Sequence, residues 1–255
     1  MSLNPMPNKV VKLAELKTAC QTCTINRICL PCGLDEADIR KLDRLVKQRR
    51  PISAGSLVFN HGDAFRTLYI VRAGAVKTYT KNYASSDEGQ EQIMGFHLPG
   101  EILGFDAISG SVHPCSAKAL QTTSICELSF ERLEEQLIEL PSLHQHLMRI
   151  MSSELYRDEQ LLLLGKKSAE ERLATFLLSL SRRYAERGFS PYEFNLPMSR
   201  GDIANYLGLA VETVSRLLSK LQSSKIIRVQ RKLVTISDKE TLERIAVGEE
   251  AGSHG

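Results

Sequence analysis

The sequence predicts an α+β fold: an N-terminal antiparallel β-roll, a long dimerisation helix and a C-terminal winged helix-turn-helix. Three observations predict it. Short segments rich in Val, Ile, Tyr, Phe and Thr recur over about residues 51–130, separated by Gly62, Gly74, Gly89 and Gly100. Strands at that spacing, without helices between them, build an antiparallel roll, barrel or sandwich. Apolar residues then recur at helical spacing from Leu143 to Leu162. Finally, SRGDIANYLGLAVETVSRLLSKLQSS, Ser199 to Ser224, has the capping and periodicity of two short helices joined at a glycine.

Taken in order, DEADIRKLDRLVKQRR (residues 35–50) places Ile39, Leu42 and Leu45–Val46 on one face, so an amphipathic helix is expected there. The segments LVFNHGD, LYIVRAGAVKTYT, EQIMGFHLPGEILGF and SAKALQTTSICELSF supply the strands. Helical periodicity returns at Phe130, and Pro141 suits the first turn of a helix. A helix over 141–164 is about 35 Å long, more than one small roll covers. Its Leu147, Ile150, Met151, Leu155 and Leu162 form either a packed core face or an apolar seam for a second chain, and its length favours the seam.

After a break at Gly165–Lys167 the pattern reads helix (169–187), GFSP turn, short strand, helix, turn, helix, hairpin. Ser199 and Asp202 fit a capping box, Ala204 is small where the helices cross, and Gly208 supplies the turn. RVQRKLVTI reads as a two-stranded wing with a basic tip. In such a unit the second helix enters the DNA major groove. Glu212, Ser215 and Arg216 fall at i, i+3 and i+4, so they share one face. Arg pairs with guanine, Glu accepts from cytosine N4 and Ser bonds to either partner, so these are the candidate base readers. Lys220 is a candidate phosphate contact.

Charge supports the same end of the chain. The 255 residues carry a net charge of only +3, but Lys166 to Lys232 holds 13 Lys plus Arg against 6 Asp plus Glu. That balance of +7 leaves −4 elsewhere, so the basic third is the part suited to a polyanion. No stretch approaches the roughly 18 apolar residues of a membrane span, and the N-terminus lacks the apolar core of a secretory signal. A cytoplasmic location is expected. Clustered cysteines there are metal ligands or redox centres more often than disulfides.

Four of the six cysteines lie in CQTCTINRICLPC, residues 20–32. A zinc site built from this segment alone must fold two CxxC pairs across five residues, which is cramped. An iron–sulfur cubane also takes four thiolates. Unused thiols are the third reading.

The segments GFHLPGEILGFDAI, KKSAEERLATFLLSLSRR, RGFSP and NYLGLAVETVSRLL resemble the FNR branch (fumarate and nitrate reduction regulators) of the CRP/FNR superfamily of bacterial transcription regulators. The resemblance covers about residues 18–236. It implies a global regulator that senses oxygen through a [4Fe–4S] cluster held by Cys20, Cys23, Cys29 and the distant Cys126, which sits in SICELSF. Cys32 and Cys115 depart from the family pattern and are expected to be non-ligands. It implies a cluster-bound homodimer on double-stranded DNA with TTGAT-type half-sites, contacting RNA polymerase. The dimer activates or represses anaerobic-metabolism genes, and no enzymatic activity is implied. Oxygen would convert [4Fe–4S] to [2Fe–2S], part the helices and lower DNA affinity. Asp158 matches a family position where an acid opposes pairing. The resemblance also implies that Glu212, Ser215 and Arg216 contact bases.

A cyclic nucleotide is not expected. Gly100–Glu101 is present, but SVHPCSAKAL has no arginine for the phosphate, and Lys118 is a poor substitute. The loop KNYASSDEGQEQ is longer than the usual family hairpin, which bears on polymerase contact. The alternative reading is a zinc-containing or small-molecule-responsive CRP-like regulator. The expected domains are a cluster-binding segment (1–32), a β-roll (33–140), a dimerisation helix (141–166) and a DNA-binding domain (167–250).

Overall fold

The computed structural model describes residues 19–82 and 90–249. Most of the expected longer hairpin loop lies outside the described residues, as does most of the N-terminal segment before Cys20. Helix α1 (Glu36–Leu45) is capped by Asp35, whose side chain accepts from the Asp38 amide. It stops sooner than the sequence pattern suggests. Val46–Gln48 leaves the helix as strand β1 and pairs antiparallel with β8 (Ser124–Ser129), Val46 lying buried opposite Leu128.

The roll consists of two four-stranded antiparallel sheets. One has the order β1, β8, β3 (Thr67–Ala73), β6 (Ile102–Leu103). The other has the order β2 (Leu57–Phe59), β7 (Ser116–Ala119), β4 (Val76–Asn82), β5 (Gln90–His97). Residues alternate across each strand. Val58, Val71, Val76, Ala117 and Ile125 fill the space between the sheets. Leu68, Ile70 and Leu128 point outward to a second core with Leu30, Leu42, helix α2 (Phe130–Leu137) and the start of helix α3 (Pro141–Leu164).

Helix α3 begins at Pro141, whose missing N–H costs nothing in a first turn. Its apolar residues do not form one uniform seam. Leu147 is only 3% exposed and lies in the outer core of its own chain, with Ile150 packed against it. Leu155 and Leu162, further along, are 66% and 80% exposed. The lower half of the expected seam is therefore an intrachain core face. In the upper half, Leu155 and Leu162 face away from both cores.

The C-terminal domain contains helix α4 (Ala169–Glu186), strand β9 (Glu193–Asn195), helices α5 (Arg200–Leu207) and α6 (Val211–Ser223), strands β10 (Ile227–Gln230) and β11 (Leu233–Ile236), and helix α7 (Lys239–Ala246). Ser168 and Glu171 form a capping box that starts α4. Helix α7 was not anticipated: Asp238 caps it and Leu242 and Ile245 bury its inner face. The core of this domain (Leu173, Leu177, Leu180, Val214, Leu218, Val234) runs on into Tyr79, Ile93, Phe96 and Leu98 of the roll. No described helix is long and apolar enough to cross a membrane.

Candidate metal centre and nucleic-acid interface

Residues 19–35 carry little regular structure: a single 3-10 turn at Cys20–Thr22, then a chain of tight turns. Within them Asn26 N–H donates to Cys23 O (3.1 Å), Ile28 N–H to Ile25 O (3.1 Å) and Cys32 N–H to Cys29 O (2.9 Å). Three anchors fix this loop from outside. Leu30 is buried in the outer core. The Cys20 amide donates to Asp43 Oδ1 of α1 (2.9 Å), and His146 Nε2 of α3 lies 3.3 Å from the Cys29 carbonyl oxygen.

Cys126 meets the loop through strand alternation. In β8, Ile125 is buried between the sheets, so Cys126 and Leu128 face the other way, toward the outer core. Cys20, Cys29 and Cys126 all pack at the edge of that core. Burial first, then Asp43, then the charges of Cys126 and Cys23 push the Cys20 thiol up to about 12. Burial first, then Cys23, pushes Cys126 up to about 11 despite the opposing pull of Arg72. Burial likewise raises the Cys29 thiol, opposed by a backbone hydrogen bond at Leu30 and assisted by Cys126, Cys20 and Cys23. The four sulfurs thus feel one another across 97 residues of chain separating Cys29 from Cys126.

The other two cysteines lie apart from this group. Cys32 is half-buried, whereas Cys20, Cys29 and Cys126 pack against the outer core. Cys115 is buried between the sheets, donates to Asp106 Oδ2 (3.3 Å) and is raised by burial and that carboxylate. All six cysteines are free thiols. Among the described residues no three His, Cys, Asp or Glu side chains converge closely enough for one metal ion. Four thiolates, each on a different iron, are the donor set a cluster takes, and Cys20, Cys23, Cys29 and Cys126 are thiols of that kind.

At the other end of the molecule the helix-turn-helix is self-contained. Ser199 Oγ accepts from the Asp202 amide (3.0 Å) while Asp202 Oδ2 accepts from the Ser199 amide (2.9 Å). Gly208 has φ +63°, the left-handed conformation that ends α5. Ala204, Val214 and Leu218 are buried where α5 crosses α6. Glu212 and Arg216 are exposed and Ser215 is half-buried, with Arg200 Nη1 3.4 Å from its Oγ. No ion pair joins Glu212 to Arg216 among the described residues. Lys220 instead pairs with Glu170 of α4 at 2.6 Å. The wing tip is Arg231–Lys232, with Arg231 at φ +56°.

On α3, Met151 is half-buried and Leu155, Asp158 and Leu162 are exposed. Desolvation raises the Asp158 carboxyl despite the adjacent Arg157. Glu154, one turn earlier, is pushed up to about 7 by burial, against the pull of Arg157. Sequence reasoning missed the contact between domains. Asn205 of α5 caps the edge of β5: its Oδ1 accepts from the Ile93 amide (2.7 Å) and its Nδ2 donates to Glu91 O (2.6 Å). Lys77 of β4 bonds both Glu91 (2.8 Å) and Asp202 (2.9 Å). Glu101 is 5% exposed and receives Arg183 and Arg187 of α4 and Arg157 of α3. No short-range pattern marks such pairs.

Two family models match the chain, a cyclic nucleotide-binding domain over residues 49–139 and a Crp-like helix-turn-helix domain over residues 171–245. The fumarate and nitrate reduction regulatory protein of Yersinia pestis is 48% identical over 89% of this chain and 90% of its own. That of Escherichia coli K12 is 47% identical over the same shares. Among solved structures, FixK2 from Bradyrhizobium japonicum superposes with a TM-score of 0.70 at 32% identity, covering 78% of this chain and 96% of its own. With a roll, a long helix and an exposed recognition helix in that order, the chain is a DNA-binding transcription regulator and belongs to the fumarate and nitrate reduction (FNR) branch of the CRP/FNR family.

Proposed function

We propose that this chain is a cytoplasmic oxygen-sensing regulator, active as a homodimer carrying one [4Fe–4S] cluster per subunit on Cys20, Cys23, Cys29 and Cys126. The observation that carries this reading is that Cys126, from β8, packs against the same outer core as the loop residues Cys20 and Cys29, with Cys23 acting on all three thiols. When bound, the cluster would supply the reactivity toward oxygen. The chain does the rest. Its thiols must each lose a proton on loading, and Leu30, Asp43 and His146 hold the loop against α1 and α3. The loop therefore bears on the same helix whose exposed Leu155 and Leu162 would meet a second copy. Asp158 puts acid near that seam, so two paired copies face like charges and pairing stays marginal.

On DNA, Arg216, Glu212 and Ser215 read base edges of TTGAT-type half-sites, and Arg231–Lys232 of the wing meet phosphate. RNA polymerase is the further partner, and anaerobic-metabolism genes are the targets. A cyclic nucleotide is disfavoured because Glu101 already accepts three arginines and the Leu98 amide (2.8 Å). Lys118 is held by Glu91 at 2.7 Å. The test is DNA-binding anisotropy on anaerobically purified protein before and after admitting air. Air should lower affinity for the specific site by roughly 5- to 150-fold as dimers become monomers in sedimentation. Asp158→Ala should stay dimeric in air. Equal affinity in both gas phases would end the oxygen-sensing reading.

A further inference from the structure

Glu101 belongs to neither the cysteine group nor the DNA-reading face, yet it is the most heavily bonded acid in the structure. It sits at the end of the turn Leu98–Glu101, which follows β5. Arg183 donates from Nε to Oε1 (3.0 Å) and from Nη2 to Oε2 (2.6 Å). Arg187 Nη2 donates to Oε1 (2.6 Å), and Arg157 Nη1 adds a fourth contact at 3.1 Å. The same two α4 arginines also hold the backbone of the turn and of the end of β5. Arg183 donates to the Phe96 carbonyl, and Arg187 Nε donates to the Pro99 carbonyl at 2.6 Å. Burial alone would raise the Glu101 carboxyl, but Arg183, Arg187 and Arg157 hold it well below the usual range, so it is a permanent anion.

The cysteine loop presses on the other side of this turn. Gly100 has φ +90°, and a Cβ placed on it would lie 2.8 Å from the Ile28 carbonyl oxygen and 3.2 Å from two Ile28 side-chain carbons. Ile28 directly precedes Cys29. One turn of the roll is thus clamped between the thiol-bearing loop and the first helix of the DNA-binding domain. Gly100 also donates to Val71 O (2.7 Å), and Glu101 O accepts from Val71 N (3.0 Å), so the turn is tied to β3 and moves as a unit.

We propose that the Gly100–Glu101 turn is a positioning element through which the cysteine loop sets the placement of the DNA-binding domain within its own chain. Glu101 and Arg187 are positioning residues, acting on the recognition helix through α4. This is a route distinct from helix pairing along α3. Its use in sensing rests on the functional reading above, but the mechanical link does not. Adjacent contacts amount to coupling only when a change at one end is felt at the other, and coupling is reciprocal. Loosening the α4 side must therefore loosen the loop.

The test is hydrogen exchange on the full chain without its cluster, comparing wild type with Arg187→Gln and Glu101→Gln. Exchange at the loop amides of Asn26, Ile28 and Cys32 should rise by about threefold or more, while amides of β8, and of β3 apart from Val71, stay unchanged. No change at the loop overturns the proposal. A uniform rise across β3 and β8 marks lost stability and also counts against it. If Glu101→Gln fails to fold because its arginines are left unpaired, Arg187→Gln decides alone. A second arm measures specific-DNA affinity of cluster-loaded Arg187→Gln at matched dimer content. A fall of about fivefold is expected, and an unchanged affinity confines the link to the loop and overturns the positioning role. An iron assay on the wild type separates failures: a missing cluster removes the sensing reading, whereas a loop deaf to Arg187 removes this one.

Discussion

The cysteine loop and the helix-turn-helix are held in opposite ways. The helix-turn-helix satisfies its own termini, through the Ser199–Asp202 capping box and the left-handed Gly208, and buries Ala204, Val214 and Leu218 where its helices cross. The loop has one short turn, a few local backbone bonds and external anchors at Asp43, His146 and Gly100. A segment so poor in its own contacts takes its stability from what it binds. One region is a fixed reader, and the other is conditional on its surroundings. That division suits a regulator whose DNA code stays constant while its occupancy varies.

The comparison can be broken most severely at Cys126. Cys126→Ala should lower anaerobic affinity for the specific site at least about a hundredfold, to the level of random DNA. The circular dichroism of α5 and α6 should not change. If the recognition domain unfolds with the loop, the two regions are not independent. Arg216→Ala is the converse case. It should cost the specific site roughly tenfold in affinity, lower binding to random DNA far less, and leave any cluster absorbance intact. Equal losses on both DNAs would make Arg216 a phosphate contact.

The seam between the regions offers a titration. Burial pushes His97 down to about 4, with only Thr78 Oγ1 bonded to its ring at 3.2 Å. An unfolded histidine takes up its proton near pH 6.5, and the folded one does not until near pH 4. Stability carried by neutral His97 is therefore whole above pH 6.5 and falls with pH toward 4, by about 1 kcal/mol per unit. Thermal melts across that window should show the decline, and His97→Asn should flatten it. The smallest effect is at the cap. Ser199→Ala should destabilise the C-terminal domain by about 1 kcal/mol in denaturant melts and leave the loop's hydrogen exchange as it was.

The same contrast explains what could be read before the structure. Everything that makes the helix-turn-helix lies within Ser199–Ser224, so spacing and residue type reveal it. The glycine-punctuated strands and Pro141 were legible for the same local reason. Helix α1 ran too long in the reading because Val46 continues the helical period, and only its pairing with Leu128 makes it a strand residue. Leu147 and Leu155 look alike in a periodic pattern, but the outer core ends between them. The meeting of Cys126 with the loop came from family resemblance, never from spacing. The contacts of Glu101 with α4, of Asn205 with β5 and of Lys77 with α5 join residues more than 80 positions apart, and no short-range signal encodes them.

The central claim is that the conditional region is a cluster site made of three loop thiols and one strand thiol. Iron and acid-labile sulfide in anaerobically purified wild type, Cys32→Ala and Cys126→Ala test it most directly. The account predicts about four of each per chain in the wild type and Cys32→Ala, and neither in Cys126→Ala. Zinc in place of iron, or a full complement retained by Cys126→Ala and lost by Cys32→Ala, would contradict it.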